Sequence, residues 1–185
     1  ISGEVDALNL TLGQVTNEYD DASANKIVAD ASYALALQGV DDASKNVATV
    51  IQNRIDLDDD IEVYSRELAR LTLVYTTAKN NGSSAGVVND AKIAMDTFHS
   101  VWLSGAEDPP KFTRLARKSL SEMRLDVEAI GSVPGIEDGV YTMQSPGRYG
   151  NAAAALASAG GIVGALASVV VTTDTALTTA TQNKT

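Results

Sequence analysis

The chain has no cysteine, which excludes disulfides and thiolate metal sites and leaves the redox compartment open. Aromatic residues are scarce, with one Trp and two Phe in 185 residues, so any core is mainly aliphatic and alanine-rich. Proline is absent before Pro109. Cationic residues are in deficit: 14 Lys and Arg stand against 24 Asp and Glu, for a formal net charge of −10. Binding to nucleic acid needs a cationic excess to neutralise phosphate, so nucleic acid is not expected as the main partner. The same deficit speaks against electrostatic recruitment to anionic lipid. Between Arg148 and Asp174 charge of either sign is missing altogether.

The usual signatures of chemistry are missing too. There is no Walker loop, no dinucleotide fingerprint and no nucleophile elbow. His99 is the sole histidine, and its helical neighbours Met95, Asp96, Trp102 and Leu103 supply no second strong ligand. The acidic run at 56–62 lacks the central glycine that turns an EF-hand loop. Its Leu57 and Ile61 continue an apolar seam, so its carboxylates are expected on a solvated face. No catalytic residue, metal site or cofactor is expected, and the chain reads as a non-enzyme.

What is present is helical periodicity. Val5, Leu8, Leu12, Val15 and Tyr19 alternate at three and four residues and predict a helix over 4–20, with Gly13 inside it. A second helix is predicted over 24–38 from Ile27, Ala31, Ala34 and Leu35, ended by Gly39 as a C′ residue. Asp41 and Asp42 then suit an N-cap. From Ala43 the alternation runs through Val47, Val50, Arg54, Leu57, Ile61, Tyr64, Leu68, Leu71 and Tyr75 to Ala78, with Arg54 its one charged member. A lone polar seam residue often fixes register at some cost in stability.

The stretch 79–84 is a turn with a new cap, and a helix is predicted over 85–104 with Val88, Ala91, Met95, Phe98 and Trp102 inward. Asp108 followed by Pro109 starts another, running to Ile130. It carries Lys111, Arg114, Arg117, Lys118 and Arg124, a candidate electrostatic contact surface that complements the acidic helices. Residues 131–150 are rich in Gly and Pro and predict one long irregular connecting loop, of a kind that is often functional or flexible.

The last helix is predicted over 151–173, built from Ala, Gly, Ser, Leu and Val. Ala157, Gly160, Gly164 and Ser168 give it a face with almost no side chain, onto which another helix could pack closely. The run 152–172 would span about 32 Å at about 1.5 Å per residue, close to a bilayer core. A Thr-rich tail without core pattern follows over 174–185.

The expected fold is therefore all-α: an antiparallel bundle of long helices over 1–130, then a small-residue apolar helix. The expected function is that of a structural subunit of a coat, shell or filament, with copies of itself as partner. Ala157, Gly160, Gly164, Ser168, Leu57, Ile61, Leu68 and Leu71 are the expected helix-packing residues. The alternative is a membrane-active or lipid-binding helical protein that inserts 152–172. The start at Ile1 reads as a processed terminus of an assembled particle or surface structure.

Overall fold

A computed structural model describes residues 2–104 and 120–184. Among these the chain is all helix and loop, an all-α bundle of α1 (Ser2–Asn80), α2 (Ala85–Ser104), α3 (Leu120–Ile130) and α4 (Gly147–Lys184).

The three helices expected before residue 80 are one helix of 79 residues. Gly39 does not cap; positive φ occurs instead at Gly82, Gly131, Gly135, Gly139 and Gly147. Asp41 lies inside α1 and pairs with Lys45 one turn on. The reason is phase. From Tyr19 the three-four steps lead through Ala22, Lys26, Ala29, Tyr33, Ala36 and Val40 to Ala43, where the stronger seam begins. Burial follows that line, with Ala22 and Ala29 buried. Ile27 and Leu35, the larger side chains expected inward, are 66% and 69% exposed. A seam repeating every seven residues keeps one stripe toward a neighbour through a left-handed supercoil. A glycine costs a helix only about 1 kcal/mol against Ala, too little to break so long a stripe.

The turn and α2 fall where the sequence puts them. Gly82 has φ +67°, and Ser84 Oγ accepts the Val87 N–H at 3.4 Å as an N-cap. The predicted start of the next helix at Asp108 and Pro109 lies outside the described residues; its end at Ile130 is as expected.

The chain divides into two compact units. The central unit, 47–152, holds the core: Leu57, Ile61 and Tyr64 of α1 pack with Met123, Val127 and Ile130 of α3 and with Val133. The connection expected at 131–150 is irregular over 131–146, but Val133 packs it into the core. Ile136, Tyr141 and Met143 also pack on this core, and α4 already begins at Gly147. Backbone bonds fasten the segment, with Gln144 N–H donating to the Glu128 carbonyl at 2.8 Å. It crosses itself closely: a Cβ on Gly131 would lie 2.6 Å from the Gln144 carbonyl oxygen, and one on Gly147 would lie 2.6 Å from that of Ile130. Only glycine permits that crossing at positive φ.

The terminal unit, 1–46 with 153–185, is α1 packed against α4. Lys184 lies over the Tyr19 ring at 4.1 Å and Lys26 Nζ lies 3.8 Å from Asp174 Oδ1, so the two helices run antiparallel. The expected Thr-rich tail is helix to Lys184. Its threonines bond back one turn: Thr175, Thr178, Thr179 and Thr181 each donate to the carbonyl four residues earlier, at 2.7–3.1 Å. The hydroxyls are thereby satisfied within the helix. The seam also persists through Thr173 and Leu177 to the buried Ala180.

Candidate helix-packing surfaces and a buried arginine clamp

The covered face of α4 keeps the three-four rhythm throughout. Tyr149, Ala152, Leu156, Ala159, Val163, Leu166, Val170, Thr173, Leu177 and Ala180 are all buried or half-buried. The small-residue stripe lies elsewhere. Ala157, Gly160, Gly164 and Ser168 are all exposed, and a Cβ added at Gly160 or Gly164 would meet nothing within 4 Å. Among the described residues no helix approaches that stripe, so the close approach its composition favours is not made among them.

The other expected packing residues separate from it. Leu57, Ile61 and Leu71 are buried and Leu68 is half-buried, all in the central unit. Leu57 and Ile61 belong to the internal core, and Leu68 packs against it. Lys111, Arg114, Arg117 and Lys118 lie outside the described residues; Arg124 is exposed on α3.

Arg54 is the most distinctive polar group. It occupies a seam position and is only 1% exposed. Nε donates to Asp58 Oδ2 at 2.9 Å, Nη2 donates to the Glu137 carbonyl at 3.1 Å, and Nη1 faces Asp138 Oδ1 at 3.6 Å. One guanidinium thus ties α1 to the 131–146 segment, which is the structural use of the charge on the seam. Burial pushes the Asp58 carboxyl above its ordinary range, against the pull of Arg54. The acidic run is correspondingly not a uniform solvated face: Asp60 is buried at 3% exposure, whereas Asp59 is exposed. The sequence signal for this clamp was the set of apolar residues inside the Gly/Pro segment, Val133, Ile136, Tyr141 and Met143, which anchor it beneath Arg54.

His99 bonds through Nδ1 to the hydroxyl of the buried Tyr64, whose ring lies 5.6 Å from Phe98. This joins α2 to α1 and explains the lone histidine as a packing contact. No grouping of three or more metal-binding side chains occurs among the described residues.

By length and composition α4 qualifies as a membrane-crossing helix, with a mean hydropathy of 2.0 over its best window and none of that window buried. Its partner constrains that reading. Equal steps along α1 from Lys26 and back along α4 from Asp174 bring Asp41 level with Ala159; the same steps from Tyr19 and Lys184 bring it level with Ile162. Asp41, Asp42 and Lys45 therefore lie beside the middle of the uncharged stretch. The uncharged part of α1 between Asp30 and Asp41 is only ten residues. That is about 15 Å of helix, half a bilayer core of about 30 Å.

Comparison with protein-family models, with curated proteins and with solved structures finds no match to this chain.

Proposed function

We propose that the protein is a non-enzymatic structural subunit that assembles with copies of itself through the terminal unit. One observation carries this reading. α1 and α4 form an antiparallel pair that covers a single seam, while large apolar side chains remain exposed around it: Ile27, Val28, Leu35 and Leu37 on α1, and Ile162, Val169 and Val171 on α4. In a paired helix these outward positions are ordinarily polar. Buried apolar side chains in the terminal unit are Ala22, Ala29 and Ala180, a small core for so many ordered residues. Further burial is what such a pair lacks, and extended apolar surface of this kind marks an interaction site.

Protein supports that burial better than lipid. If α4 crossed a bilayer with α1 beside it, Asp41, Asp42 and Lys45 would sit near the midplane. Each would cost about 2.5–3.5 kcal/mol there. Sedimentation velocity across a concentration series, run beside liposome flotation, tests the proposal. Assemblies growing with concentration and no flotation are expected. Flotation of a protein that stays monomeric in water would reverse the assignment in favour of membrane insertion.

A further inference from the structure

We propose that Asn81 is a site of spontaneous modification, at which the chain converts an asparagine to aspartate and isoaspartate through a cyclic imide. The inference is independent of the assembly reading and rests on the turn between α1 and α2. Asparagine is thermolabile because its side-chain carbonyl carbon lies within reach of the next backbone nitrogen. That nitrogen reacts when it has no hydrogen bond of its own and the chain can swing it onto Cγ. Of the ten asparagines in the chain, nine lie within helices: six in α1 from Asn9 to Asn80, Asn89 in α2, and Asn151 and Asn183 in α4. In a helix the following N–H is committed to the carbonyl one turn back, and the backbone is held. Asn81 is the exception: it is exposed, lies outside any helix and precedes a glycine.

The turn leaves the reacting nitrogen uncovered. The N–H of Asn81 donates to the Thr77 carbonyl at 3.0 Å and that of Ser83 to the Ala78 carbonyl at 3.2 Å. The Gly82 N–H between them has no acceptor among the described residues. Gly82 stands at φ +67°, and a Cβ there would meet nothing within 4 Å, so the approach to its nitrogen is open. In the first step the Gly82 nitrogen attacks Asn81 Cγ. The N–Cγ bond forms, the Cγ–Nδ2 bond breaks, and ammonia leaves with the amide proton. Water then opens the imide. Cleavage at Cγ gives aspartate, whereas cleavage at the main-chain carbonyl gives isoaspartate, with one extra carbon in the backbone. Nothing is oxidised or reduced. Either product places a carboxylate at the C-terminal end of α1, where the helix dipole disfavours negative charge. The extra carbon also disturbs the bond from Ser83 to Ala78 that closes the helix. α2 is poorly placed to resist, since none of its residues from 85 to 99 is buried.

The test holds the full chain folded in mildly alkaline buffer and maps its peptides by mass spectrometry at intervals. Isoaspartate is told from aspartate by enzymatic methylation specific to it. Asn81 is expected to convert about tenfold or more faster than any helical asparagine, the ratio that one net hydrogen bond is worth. Its rate in the folded chain should also match its rate in denaturant, because the turn does not cover the Gly82 amide. Asn81→Gln, whose side chain is one carbon too long for that ring, should stay unmodified at this position. A folded chain in which Asn81 is as slow as the helical asparagines, and speeds up only on denaturation, overturns the proposal. The isoaspartyl form, separated by its added charge, should exchange the Ser83 amide faster than the starting chain, with Val127 in α3 unchanged. Equal exchange at Ser83 in the two forms overturns the consequence for the turn and leaves the modification standing.

Discussion

The two units are built on the same helix in the same phase, yet they bury very different amounts of it. In the terminal unit every second seam position of α1 is Ala: Ala22, Ala29, Ala36 and Ala43. In the central unit the same series continues as Val50, Leu57, Tyr64 and Leu71. Leu57 and Tyr64 are 2% and 0% exposed, surrounded by α3 and the 131–146 segment. Ala22 and Ala29 are covered too, but by one helix alone, and the larger residues beside them face outward. Periodicity therefore sets which stripe turns inward. Side-chain volume and the number of neighbours set how much stability that stripe yields.

The sharpest way to break this contrast is at the clamp. Arg54→Ala removes a fully buried side chain and leaves Asp58 and Asp138, 35% and 36% exposed, without their cation, and is expected to cost about 3 kcal/mol in chemical denaturation. Arg54→Met, which keeps the volume, should lose clearly less if the Asp58→Asn change accompanies it, because burial already disfavours the Asp58 charge. A negligible loss for both would show that the guanidinium holds nothing in place. Leu57→Ala should follow at about 2–5 kcal/mol as a large-to-small change in a packed core.

Gly147→Ala tests whether the 131–146 segment is part of that core. Its new Cβ would press on the Ile130 carbonyl at a φ of +62°. A loss of about 1–3 kcal/mol is expected, together with faster hydrogen exchange at Gln144. A neutral outcome would mean that the crossing of α3 and α4 is looser than its geometry requires. The smallest effect is expected at Asp59→Asn, exposed between the half-buried Asp58 and the buried Asp60, which should stay within about 0.5 kcal/mol. A larger loss there would place the acidic run inside the core rather than along its edge.

The sequence by itself determined the helical class, the turn at 79–84, the end of α3 at Ile130 and the seam from Ala43 to Ala78, because these follow from local spacing and capping. It also carried the continuity of α1. That became visible only when Ala22, Lys26, Ala29, Tyr33, Ala36 and Val40 were followed in phase, instead of the larger Ile27 and Leu35. Hydrophobic size pointed to one face and periodicity to another, and an alanine seam is a faint signal beside leucine.

Tertiary structure alone decided the rest. That Arg54 reaches Glu137 and Asp138, and that Val133 lies in the core, depends on contacts between residues far apart in the chain. Local composition read that segment as loose because glycine and proline describe the turns it makes, not what it touches. That α4 turns its Leu and Val stripe toward α1 and its glycines outward follows from packing energy. Covering the larger side chains removes more apolar surface from water than covering glycine does. Which charges stand beside the apolar helix was likewise unreadable until the antiparallel register placed Asp41 and Lys45 at its middle.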